Sequence, residues 1–120
     1  MSANTFDDYE EAAMRTAKVF GEGKRFGPEE MDMLHAALGV ASDAGELVDA
    51  IKKHLIYGKD LDVVNVREEI GDVMWFLALM CKATGMDLDT VCLRNIAKLA
   101  KRYPEKYSDA LAVLRLDKAD

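Results

Sequence analysis

The chain has 120 residues, a formal net charge of -6 and 50% hydrophobic residues, which is most simply one domain whose core needs no disulfide or metal staple. A sequence pI near 4.9 excludes a broad basic surface that grips a nucleic-acid polymer, but not a nucleotide whose phosphates meet a metal ion. Residues 1–11 lack the basic and apolar regions of a signal peptide, and the most apolar run, residues 73–81, is about half the length that crosses a bilayer, so no membrane contact is expected.

Taken in order, Thr5 precedes the acids Asp7 and Asp8, and Tyr9, Ala12, Ala13, Thr16, Val19 and Phe20 recur at helical intervals. The spacing predicts a first helix capped by Thr5 and ended by Gly21 and Gly23. Residues 22–27 combine turn-forming glycines with Lys24 and Arg25, and read either as a surface loop or as a flap near a ligand. Pro28 suits the first turn of a long second helix reaching about Tyr57, with Met31, Leu34, Leu38, Ala41, Gly45, Val48 and Leu55 along its apolar stripe. Gly39 and Gly45 in its interior imply close approach of a backbone or ligand, or a packing role. Gly58 stops this helix.

The short polar connection over residues 59–62 favours antiparallel packing of the second helix on a third, running from Leu61 or Val63 to Ala83. The second half of that third helix, residues 73–80, is apolar nearly all round. More than one neighbour must cover it, as a bundle interior, a subunit interface or both. Gly85 and Asp87 end it and cap a fourth helix whose buried face is Leu88, Val91, Cys92, Ile96 and Leu99; Pro104 ends that helix. Ser108 and Asp109 start a short fifth helix expected to reach Leu116. Cys81 and Cys92 lie in apolar helical patterns without metal-ligand spacing, so they read as reduced core residues in a cytoplasmic protein. The fold class is therefore all-α, a four-to-five-helix bundle with antiparallel central helices.

Two short acidic motifs carry the chemistry. Asp43 and Glu46 on the second helix, and Glu69 and Asp72 on the third, are each three residues apart, which puts both carboxylates of a pair about 60° apart on one face. Antiparallel packing brings the two pairs to similar heights, so four carboxylates can face one another. Such acids among apolar residues need pairing or a cation, and all-oxygen ligation suits Mg2+ or Mn2+ better than zinc. Asp49 is an additional candidate ligand, whereas Glu68 reads as a surface acid. Lys53 shares the angular position of Glu46 and either reaches an anionic substrate or complements the helix dipole. Asn95, Lys98 and Arg102 form a polar stripe on the fourth helix that either holds phosphates or is a solvated face. A di-iron bundle is excluded by the histidines, since only His35 and His54 occur. No nucleophile elbow surrounds a serine.

The segments Ala37-Leu38-Gly39-Val40-Ala41-Ser42-Asp43-Ala44-Gly45-Glu46-Leu47 with Asp49-Ala50-Ile51-Lys52-Lys53, Glu68-Glu69-Ile70-Gly71-Asp72-Val73-Met74-Trp75-Phe76-Leu77-Ala78, and Asn95-Ile96-Ala97-Lys98-Leu99 with Arg102-Tyr103-Pro104 resemble the MazG-like all-α nucleoside triphosphate pyrophosphohydrolase family. The likeness runs from about Met33 to Tyr107. It implies Mg2+ held by Asp43, Glu46, Glu69 and Asp72, with Glu46 and Glu69 as catalytic carboxylates and Glu46 a candidate base because its partner Asp43 is the shorter ligand. It also implies phosphate contacts from Asn95, Lys98, Arg102 and Tyr103, to which the angular position of Lys53 adds a further substrate contact, and a nucleobase pocket drawing on the first helix and residues 22–27, with Phe20, Phe26 or His35. The implied reaction splits a nucleoside triphosphate, most simply a deoxynucleotide, into monophosphate and pyrophosphate, in a homodimer or homotetramer. One departure stands out: Asp43 occupies a position where Glu is usual, and Ser42 one where many members carry a further Glu. The competing reading is a catalytically silent helical module that binds nucleotide or assembles with a partner.

Overall fold

The computed structural model describes residues 5–23 and 25–118, so Lys24 of the glycine-rich loop lies outside the described residues. Five α-helices and a final 3-10 turn follow one another: α1 Phe6–Met14, α2 Pro28–Leu55, α3 Val63–Thr84, α4 Leu88–Arg102, α5 Asp109–Leu114 and the turn Leu116–Lys118. There is no strand among the described residues.

The helix ends follow from local chemistry. Thr5 accepts from Asp8 N at 3.2 Å, Asp62 from Asn65 N at 3.0 Å, Asp87 from Thr90 N at 3.2 Å and Ser108 from Leu111 N at 3.1 Å; each satisfies an otherwise unpaired donor of a first turn. At the start of α2 the Glu30 side chain reaches back to the Gly27 N–H at 3.2 Å, and Pro28 stands where no donor is needed. Gly58 and Gly85 close α2 and α3 with φ of 70° and 72°, a backbone region costly for a side chain bearing Cβ. His54 Nδ1 donates to the Lys59 carbonyl at 2.6 Å and ties the end of α2 to the connection that follows.

Two boundaries differ from expectation. α1 stops at Met14 rather than continuing to Phe20. Thr16 turns its hydroxyl and its N–H back onto Ala13 O, at 2.9 and 3.2 Å, and Val19 and Phe20 are exposed; without a surface to pack on, so short a helix gains little by growing. α5 ends at Leu114 because Arg115 takes φ 52°.

Packing is uneven. α2 and α3 lie against each other along their lengths, while α4 packs on α5 and the 3-10 turn. His35 meets the rings of Trp75 and Phe76, Phe76 sits over Gly39, and Glu46 meets Glu69. A Cβ on Gly39 would collide with the Phe76 ring, which explains this glycine, whereas Gly45 has open space above it. Among the described residues the buried apolar side chains are small, Ala36, Ala50 and Ala83, and the radius of gyration is 20.9 Å, against about 14 Å for a compact chain of this length. The expected bundle is thus not closed within one chain. Ile70, Met74 and Trp75 of α3 are exposed, and so are Val91, Cys92, Ile96 and Leu99, which the spacing marked as a buried face. Cys81 is half-buried, and both thiols are free. An open apolar groove of about 560 Å³ separates α3 from α4, with Met74, Leu77 and Met80 on one side and Leu88 and Val91 on the other.

Candidate metal centre

Both acidic pairs fall inside uninterrupted helix, Asp43 and Glu46 on α2 and Glu69 and Asp72 on α3, so each pair projects from one helical face. One carboxylate oxygen from each of Asp43, Glu69 and Asp72 lies within 4.8 Å of the others. Asp43 is half-buried, Glu46 and Asp72 are exposed, and Glu69 is 5% exposed. Glu46 is the neighbouring acid that acts most strongly on the Glu69 carboxyl, and Glu69 Oε2 is buried without a hydrogen-bond partner.

The electrostatics follow from that crowding. The hydrogen bond with Glu46 first, then burial, then the charges of Glu46, Asp43 and Asp72, push the Glu69 carboxyl up to about 7. A proton therefore substitutes for a missing positive charge. A divalent cation satisfies the same demand: it supplies a partner for the orphaned Glu69 oxygen and neutralises acids that otherwise repel one another. Oxygen-only donors of this kind fit Mg2+ or Mn2+. Asp43, despite being shorter than the usual Glu, stands within the group of three, while Glu46 approaches through Glu69.

The other expected site residues are placed as follows. Lys53 pairs with Asp49 at 2.8 Å, and Lys52 approaches the same carboxylate at 3.5 Å. Asp49 is held below its ordinary value by the Lys53 hydrogen bond, and it stands apart from the group of three. All three side chains are about half exposed, so the pairing contributes little stability. Arg102 forms a two-pronged bond to Asp117, Nε to Oδ1 at 2.8 Å and a terminal nitrogen to Oδ2 at 3.0 Å. The Asp117 carboxylate is fully buried, and Arg102 holds it well below the usual range. Tyr103 packs against Tyr107 with ring centroids 5.1 Å apart and flanks Arg102. Asn95 lines the apolar groove between α3 and α4, and Lys98 is exposed.

Beside the acids opens a pocket of about 450 Å³ lined by Asp43, Asp72, Trp75 and Phe76. His35 stands edge-on to both rings, 6.4 Å from Trp75 and 5.4 Å from Phe76. Of the aromatic residues named for a base pocket, His35 meets the rings that line this space, whereas Phe20 and Phe26 are exposed and are not among its lining residues. In the sequence Trp75 and Phe76 belong to the apolar run of residues 73–80, which reads as interior. The available signal was their spacing, three and four residues beyond Asp72, which puts them on its face of α3. Asp117 gave no comparable signal from within a polar tail.

Residues 33–107 match the family described as the MazG nucleotide pyrophosphohydrolase domain. The chain is also 34% identical over 103 residues to the "Gene 37 protein" of Mycobacterium phage L5, covering 80% of this chain and 86% of that protein. No solved structure matches. With the match spanning both acidic motifs and the greater part of the sequence, the chain belongs to the MazG nucleotide pyrophosphohydrolase domain family.

Proposed function

We propose that this chain hydrolyses nucleoside triphosphates to the monophosphate and pyrophosphate with Mg2+ as cofactor, in control or sanitation of the nucleotide pool. The observation that carries the reading is the buried, unpartnered Glu69 oxygen inside a cluster of acids drawn from both motifs. Supporting it, contacts pair His35 with Trp75 and Phe76, and Glu46 with Glu69. Ascending α2 while descending α3 is the order expected of antiparallel helices.

Asp43, Glu69 and Asp72 would hold the ion, with Glu46 completing the set. When bound, the ion supplies charge stabilisation for the phosphate oxygens. Glu46 neighbours Glu69; with the ion bound both carboxyls are ionised, so Glu46 can take the proton of an attacking water. The water oxygen bonds the α-phosphorus, the bond to the bridging oxygen breaks, and pyrophosphate leaves. Lys98 is exposed and uncommitted to any described ion pair, and is the cation we assign to the phosphates together with Asn95. Lys53 would join them by leaving Asp49, and Arg102 with Tyr103 by leaving Asp117. The exposed Ile70 and Met74 on α3, with Val91, Ile96 and Leu99 on α4, support assembly as a homodimer or homotetramer.

Pyrophosphate release from a panel of nucleoside triphosphates with Mg2+, run beside Glu69→Gln, tests the reading. Turnover by the natural chain and its loss in Glu69→Gln is the expected result. Absence of metal-dependent turnover on every triphosphate overturns it in favour of a silent binding module.

A further inference from the structure

We infer that Trp75 is the base-stacking residue of the pocket beside the acids, and that it selects nucleotides over bare polyphosphate. The inference rests on the pyrophosphohydrolase reading of the acids and deepens it. The pocket holds about 450 Å³, well beyond six waters around a cation at roughly 30 Å³ each, so a larger group has room beside the ion. Its walls divide by chemistry: Asp43 and Asp72 on the polar side, Trp75 and Phe76 on the other.

The indole is both held and open. It stands at 88° to the Phe76 ring with centroids 5.1 Å apart, and His35 approaches edge-on. Phe76 is itself seated in the gap left by Gly39. Yet Trp75 remains 58% exposed. A fixed, solvent-facing aromatic plane one helical turn from a carboxylate ligand suits a molecule that joins a metal-bound polyphosphate to a flat ring. Stacking supplies affinity for any base, because each has a π face.

Trp75 is the single tryptophan of the chain, so its fluorescence reads the contact directly. Titration with Mg2+ and an α,β-methylene deoxynucleoside triphosphate is expected to quench the emission saturably, while Mg2+ with tripolyphosphate leaves it within a tenth of its starting value. The preference for nucleotide over tripolyphosphate, measured by calorimetry, is expected to fall about tenfold to a hundredfold in Trp75→Leu, and to recover largely in Trp75→Phe. Equal quenching by both ligands, or an unchanged preference in Trp75→Leu, overturns the assignment. The two readings fail separately. Quenching without hydrolysis of any triphosphate sinks the hydrolase and keeps the stacking; hydrolysis without quenching does the reverse.

Discussion

Proton release on metal binding is the sharpest test of the acidic centre. In the metal-free protein Glu69 titrates near 7, raised from 4.5 by its bond with Glu46, by burial and by neighbouring acids. A bound cation requires the ionised form, so each binding event expels whatever proton the carboxyl pair still carries. With a midpoint of 7 the expected release is about nine-tenths of a proton per ion at pH 6, about one half at pH 7 and about one tenth at pH 8. Apparent affinity for Mn2+ should accordingly rise nearly tenfold from pH 5 to 6 and level off above 7. Calorimetric titration with Mn2+, repeated in buffers of different ionisation enthalpy, counts the protons. Glu69→Gln should remove the release and weaken binding together. Strong Mn2+ binding with no proton released at pH 6 would refute the reasoning.

The same shift has a consequence for stability. Because the folded chain holds the Glu69 proton up to about 7 and the unfolded chain only to about 4.5, the folded state binds more protons across that window. Stability of the metal-free protein should therefore fall as pH rises from 4.5 to 7, which thermal melts with a chelator check. Asp117 acts in the opposite sense. Its folded value lies below 3.8, so its contribution is present above 3.8 and disappears on further acidification; Arg102→Lys, which cannot reproduce the fork, should lower the urea midpoint at pH 7. Gly39→Ala pushes a methyl into the Phe76 ring and should cost about 1–3 kcal/mol in urea unfolding. Asp87→Ala removes the cap of α4, with an expected loss of about 1 kcal/mol.

The elements legible in the sequence were those fixed by local chemistry. Thr5, Asp87 and Ser108 stand before helical runs and all cap them, and Gly58 and Gly85 end helices with the backbone only glycine adopts freely. The acids were legible because three-residue spacing fixes a shared face wherever the helix forms. What escaped depends on chain-distant partners. Arg102 looks free for phosphate until Asp117, fifteen residues on, folds beneath it. Val19 and Phe20 have helical spacing but are exposed. Trp75 has an apolar neighbourhood in sequence and an open one in space.

The position of the acids within the α2–α3 pair bears on how quickly the chain folds. The two helices are joined by a short connection, and contacts between elements close in sequence form fast. Each motif by itself is a solvated patch on a nascent helix. Only when α3 docks on α2 do Asp43, Glu46, Glu69 and Asp72 converge, so the repulsion between the two pairs is absent from the separate helices and appears as they close. The region expected to make the chemistry thus acts as a brake on helix docking, released by one proton or one cation. Refolding in a stopped-flow experiment should quicken on adding Mg2+ to a chelated sample at pH 7.5, and Asp72→Asn should quicken it without any metal.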